Sequence, residues 1–202
     1  MNISDIRDDG TDYLAGETIT GRLEPRDELR GVVFEGCTFT GCVLDEAVLR
    51  NCDFIDCRFD SCSLSQTKLP GTSFADCVLK GCRALSVAWT SVIAGTLSVA
   101  PLTFEGCKLT YSSFVGSTLR RWSFIDCDLS EADFSDAVLA ATSFEHCNLA
   151  KARFVGADLR GVSLISSYNY YFDPREAKVA GLRVTPDGGA QLLRAFGIEV
   201  RE

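Results

Sequence analysis

Residues 32–62 read VVFEGCTFTGCVLDEAVLRNCDFIDCRFDSC and divide into fives: VVFEG, CTFTG, CVLDE, AVLRN, CDFID, CRFDS and the next Cys. The centre of every block is Phe or Leu, and the residue two places earlier is Cys, Ala or Val. The phase resumes at PLTFEG and runs to Leu164. Of the 28 centres from Leu29 to Leu164, 24 are Leu or Phe. All ten cysteines fall two places before a centre, and of the 13 Phe only Phe172 and Phe196 lie outside the phase. A period of five matches neither the helical 3.6 nor the strand 2.0. It describes a solenoid in which every fifth side chain turns inward and the backbone bends between.

Four such units per turn give a square coil of 20 residues. Stacked in twenties, one column reads Leu29, Leu49, Leu69, Trp89, Leu109, Leu129, Leu149. The next reads Phe34, Phe54, Phe74, Ala94, Phe114, Phe134, Phe154. Both columns break at the same coil, and together they are the expected core. At the ~4.8 Å spacing of neighbouring strands, seven coils predict a rod roughly 34 Å long.

A small residue, a polar residue, Leu or Phe and two variable residues is a pattern that resembles the pentapeptide-repeat family, over about 135 residues. The resemblance implies an all-β, right-handed quadrilateral parallel β-helix. The C-terminal segment, with LL…GI inside a short predicted helix, is similar to the tail of the Qnr-type topoisomerase-protecting members. SVAWTS and NYYFDP resemble the McbG- and AlbG-type self-resistance members.

The five segments expected are an acidic N-terminal segment and cap (1–28), repeat coils (29–84), an irregular junction keeping the register (85–101), further coils (102–167), and a C-terminal cap with a dimerisation helix (168–202). Residues 84–104 carry no charge, but Ser, Thr, Gly and Pro interrupt them. A junction with Trp89 in a Leu position is therefore expected rather than a membrane span. Trp122, large where a small residue belongs, is expected to point outward or bulge its coil. In the tail, Pro186 and Asp187 open the predicted helix, with Leu192, Leu193 and Phe196 on an apolar side, and GIEV reads as a short strand.

The start of the chain shows no basic segment followed by an apolar run, so a cytoplasmic, reducing location is expected and the cysteines should be free. They form ladders, Cys37/Cys57/Cys77, Cys42/Cys62/Cys82 and Cys107/Cys127/Cys147, with Cys52 alone. Each fills a corner beside a Phe or Leu stack. Zinc spacings are absent, and so are phosphate loops and nucleophile elbows. The single histidine, His146, lies at an outward phase. No enzyme activity, metal or cofactor is expected.

The net charge of -8 and pI near 4.7 argue against direct nucleic-acid binding, which needs a basic surface. What the Qnr-type resemblance implies instead is a homodimeric rod that imitates duplex DNA in DNA gyrase or topoisomerase IV, relieving an antibiotic that poisons the enzyme. No Lys or Arg occurs between Arg121 and Lys151. Within that stretch Glu131, Asp133 and Asp128 face Lys151, Arg153 and Lys108 one coil away, whereas Asp126, Asp136 and Glu145 face no Lys or Arg. This trio is the expected partner contact, and Leu192, Leu193 and Phe196 the expected dimer interface. A generic protein-interaction scaffold is the alternative.

Overall fold

The computed structural model describes residues 1–94 and 102–201. Short strands of two to four residues recur along the chain and stack in parallel on the coil below. One face is a seven-stranded sheet whose centres are Ile19, Phe39, Phe59, Leu79, Phe104, Phe124 and Phe144. A second carries Leu14, Phe34, Phe54, Phe74 and Ala94 in register. The remaining faces are held mostly by single bridges such as Val43 to Ser63 and Lys108 to Asp128.

The period of five has a backbone cause. Among the described residues, the second residue after nearly every centre sits in the left-handed region, as at Gly36, Asn51, Asp56, Gln66, Asp126 and Lys151 (φ +52° to +60°). That residue turns the chain through a corner of the square. Left-handed backbone costs a residue with a Cβ roughly 1–2 kcal/mol, so the coil depends on inward packing to hold its corners. The packing is dense. Phe34, Phe54, Phe74, Phe114, Phe134, Phe154, Leu49, Leu69, Leu109 and Leu129 are all buried. Rings stack along a face, Phe39 on Phe59 at 4.4 Å, and meet edge-on around a corner, Phe34 against Phe39 at 72°.

The small position two places before each centre also has a polar duty. The Cys57 thiol donates to Phe34 O (3.3 Å), and the Thr72 hydroxyl donates to Leu49 O (2.8 Å). Ser112 and Thr142 do the same to Ala84 and Leu119. A small side chain with one donor therefore suits the corner, which is why Cys, Ser and Thr interchange there. All ten cysteines are free and buried.

Across the junction the phase of five persists, but the stacking by twenties does not. Leu79 pairs with Phe104 and Cys77 with Leu102, an offset of 25 rather than 20. Ala84 donates to Lys108 O, and Trp89 to Ser113 O. Cys107 and Ser112 reach back 28 residues for their carbonyls where the other donors reach back 23. One extra unit of five has entered this coil. Leu109 consequently stacks above Ala84, and Phe114 above Trp89, with their rings 6.3 Å apart and nearly parallel. The predicted Leu column thus runs from Trp89 into Phe114, Leu109 continues the Leu44, Leu64 and Ala84 column instead, and the Cys42/Cys62/Cys82 ladder continues into Cys107/Cys127/Cys147.

Trp122 does not point outward: it is 3% exposed. It follows Leu102 on the next rung, and its indole meets Trp89 and Phe114 at right angles. Around the enlarged coil there is room for a second indole where a thiol suffices elsewhere.

The ends are closed by helices. Helix α1 (Ile3–Asp9) is capped by Asn2, whose side chain accepts from Ser4 N–H, and it stops at Gly10 in the left-handed region. Sequence reasoning missed this helix although both signals are present. Ile3 and Ile6 plug the first coil, and Ile3 N–H donates to Thr20 O. This covers a β-edge that would otherwise invite pairing with other chains. Helix α2 (Pro186–Leu193) has Thr185 as its cap and Pro at its first position. The expected GIEV strand is absent: Ile198 N–H bonds back to Leu193 O, and Ile198 and Val200 are exposed. The segment leaves a helix end rather than a rung, so no strand lies beside it to pair with.

Candidate functional site

Asp126 and Glu145 lie on adjacent rungs at one corner, joined by a 2.8 Å bond from Asp126 N–H to Glu145 O. Both side chains are exposed. Asp126 Oδ1 is 3.4 Å from His146 Nδ1, and Glu145 accepts from the Ser143 hydroxyl at 2.9 Å. Asp136 is not part of this group. The centres Phe124, Leu129 and Phe134 occupy three successive faces, so the corners at Asp126 and Asp136 are diagonal across the square. Asp136 bonds through its N–H to Val155 O, and its carboxylate lies over Gly156, where a Cβ would collide with it. The expected trio is thus a pair and a single residue on opposite edges.

The neighbouring acids are compensated. Glu131 is 3.7 Å from Lys151, and Asp133 is 3.5 Å from Arg153, each one coil away. Asp128 instead accepts from the Ser130 hydroxyl at 2.6 Å and from the Asn148 amide at 3.1 Å. Asp158 is held by a cation on its own rung. Two hydrogen bonds from the Arg160 guanidinium, at 2.8 and 2.6 Å, push its carboxyl down to about 2.

At the C-terminal end, the three residues expected at an interface separate. Leu192 turns into the end of the rod, while Leu193 and Phe196 remain exposed. With Pro174, Pro186, Ala190 and Val200 they border a shallow apolar groove of about 410 Å³. Arg175 fixes this surface. Its guanidinium pairs with Asp173, lies 5.1 Å from the Phe196 ring centre and donates to Ala195 O.

Trp89, singled out at the junction, is buried and ringed by Phe74, Phe104, Phe114 and Trp122. Among the described residues, no group of three or more Cys, His, Asp and Glu converges as a metal site would require. Burial pushes the Cys52 thiol up, away from the reactive thiolate. Among the described residues, no helix is long and apolar enough to cross a membrane.

Two family models match the chain. Pentapeptide repeats (8 copies) match residues 28–66 and 57–85, and the pentapeptide repeat region matches residues 100–167. Among solved structures, HetL, a pentapeptide repeat protein from the cyanobacterium Nostoc sp., is similar with a TM-score of 0.68 at 16% identity, covering 91% of this chain and 92% of HetL. QnrB1, a plasmid-mediated fluoroquinolone resistance protein, is similar in a trypsin-treated variant form with a TM-score of 0.53 at 19% identity, covering 95% of this chain and 98% of that one. No curated protein matches significantly. At these identities the structural likeness speaks for the fold alone. The repeat matches together take in well over half of the sequence, and the chain belongs to the pentapeptide-repeat family.

Proposed function

We propose that this protein is a non-enzymatic mimic of duplex DNA, which binds DNA gyrase or topoisomerase IV as a homodimer and protects it from a poisoning antibiotic. The observation that carries this reading is the exposed edge at Asp126 and Glu145, set in a stretch without Lys or Arg from residue 122 to 150. Carboxylates at rung spacing on a stiff rod suit a basic groove shaped for phosphates, and complementary charge speeds encounter. The likeness to QnrB1, a fluoroquinolone resistance protein, extends over nearly the whole of both chains and supports the same reading. The exposed Leu193 and Phe196 on the groove beside α2 suit a self-complementary contact.

Supercoiling and cleavage-complex assays with purified gyrase and topoisomerase IV, with and without quinolone and albicidin-like poisons, test the proposal. Rescue at protein concentrations that leave supercoiling intact, weakening as salt rises, is the expected result. No effect on either enzyme at any concentration overturns it. The second reading, a scaffold for an unrelated protein, is favoured by the higher TM-score to HetL, which is involved in the regulation of heterocyst differentiation.

A further inference from the structure

Near the C-terminal end two rungs part. On this face Phe114 N–H donates to Asp133 O and Phe134 N–H to Arg153 O, both at 2.8 Å. The next bond of the series would run from Phe154 to Asp173. Asp173 O instead accepts from Glu176 N–H at 3.0 Å, inside the 3₁₀ turn Pro174–Glu176, and Pro174 has no N–H to offer. Between the parted rungs lies a recess of about 490 Å³, bordered among others by Lys151, Arg153, Tyr171, Phe172, Arg194 and Ala195. That volume is within the ~300–1,000 Å³ of small-molecule sites. One wall is stapled in place. The Arg175 guanidinium pairs with Asp173 and donates to Ala195 O at 2.9 Å, holding the Arg194–Ala195 segment beside the opening.

The cations of the recess have donors to spare. Lys151 and Arg153 approach Glu131 and Asp133 only to 3.7 and 3.5 Å, beyond the ~2.7–2.9 Å of a charge-assisted hydrogen bond. Both acids are bonded elsewhere, Glu131 to the Tyr111 hydroxyl and Asp133 to the hydroxyl and N–H of Ser135. The two basic side chains are 79% and 65% exposed, and ion pairs in water hold loosely. Arg194 is exposed and forms no ion pair among the described residues. The acids of the lining, Asp173 and Glu176, answer to a different cation. Arg175, which stands outside the recess, is raised by its hydrogen bonds with Asp173 and, less strongly, by the charge of Glu176. Three cations without a tight partner thus border the recess, next to the exposed ring of Tyr171.

We infer that this recess binds a phosphomonoester carried on a planar ring, the chemistry of a nucleoside monophosphate. The phosphate dianion takes charge-assisted hydrogen bonds from Arg153, Arg194 and Lys151, two planar forks and one point charge. The ring stacks on Tyr171, with the edge of Phe172 behind it. A small anion enters such a recess where a nucleic-acid chain is repelled, because the protein as a whole carries a charge of -8.

The intact protein is titrated by calorimetry, at constant ionic strength, with adenosine 5′-monophosphate, adenosine and inorganic phosphate. The expected result is saturable binding of the monophosphate, with half-saturation at least tenfold below that of adenosine or phosphate. In the Arg153→Ala/Arg194→Ala double variant that value rises at least tenfold while thermal unfolding is unchanged, because both side chains are on the surface. Tyr171→Ala weakens the monophosphate at least threefold and leaves inorganic phosphate as it was. Arg83→Ala/Lys108→Ala removes two cations from another face and should leave the monophosphate titration unchanged. Absence of saturable monophosphate binding overturns the inference. So does adenosine or phosphate binding as tightly as the monophosphate, a double variant at Arg153 and Arg194 that binds like the parent, or an equal loss in the variant at Arg83 and Lys108.

Discussion

Replacing Trp89 by Leu separates the observed packing from the packing that a repeat of 20 implies. In the column of twenties every other member is Leu, and Trp89→Leu should then be nearly silent. In the structure Trp89 is 1% exposed and has Phe104 at 5.0 Å, Phe74 at 6.1 Å, Phe114 at 6.3 Å and Trp122 at 6.4 Å, measured between ring centres. Aromatic pairs contribute about 0.5–1.5 kcal/mol each beyond burial, and they do not add fully when they share one ring. Truncating a large buried aromatic to Ala costs about 3–5 kcal/mol, and Leu fills part of that space. The expected loss for Trp89→Leu is therefore about 3 kcal/mol. Trp89→Phe keeps the stack on Phe114 and should lose less than half as much. Urea unfolding followed by far-ultraviolet circular dichroism, with Trp122 fluorescence as a second probe, measures both variants. A Trp89→Leu protein within about 0.5 kcal/mol of the parent, the range of ordinary surface changes, refutes the ring of aromatics as a source of stability.

Gly156→Ala should destabilise by about 1–2 kcal/mol, because φ is +73° and the new Cβ meets the Asp136 carboxylate; adding Asp136→Ala should restore part of the loss in a double-mutant cycle. Asp158, with its carboxyl held down to about 2 by Arg160, contributes stability that is complete above the ordinary carboxylate range and disappears as pH falls through that value; melting temperatures between about pH 5 and 2 should drop less steeply for Asp158→Asn. Leu193→Glu with Phe196→Glu should convert a dimer to monomers in sedimentation equilibrium with no change in circular dichroism, and a variant that still sediments as a dimer removes the groove beside α2 from the interface. None of the ten thiols should react with a disulfide reagent at about pH 8 until denaturant is added, since all are buried.

The inward phase was legible in the sequence because an inward side chain every fifth residue admits few residue types, and Phe, Leu and Cys mark it without ambiguity. The shift at the junction was not, because 20 and 25 are both multiples of five. The centres that would have shown it are the weak ones, Ala84, Trp89, Ala94 and Val99. One signal was available: an offset of 25 joins two cysteine ladders into a single one of six, whereas an offset of 20 leaves them on different faces. Trp122 was misplaced for the same reason, since its space exists only in the coil that the extra unit enlarges. The acidic edge was half legible. Stacking by twenties within 102–167 is undisturbed, so Asp126 and Glu145 fall together as read. The diagonal position of Asp136 needed the corners to be counted around the square as well as along it.

The extra unit at the junction acts on the molecule's exterior as a dial. Each added five leaves the inward phase untouched, so the core continues and the seven-stranded face passes through unbroken. Every surface pattern that the sequence repeats at twenties is nevertheless carried round by a quarter turn beyond that point. The heading of the Asp126–Glu145 edge and of the C-terminal helix, relative to the N-terminal coils, is thus set by a length and not by any residue that forms them. Relatives that differ by one unit there would present identical edges to different sides, and a partner spanning both halves would distinguish them without a single surface substitution.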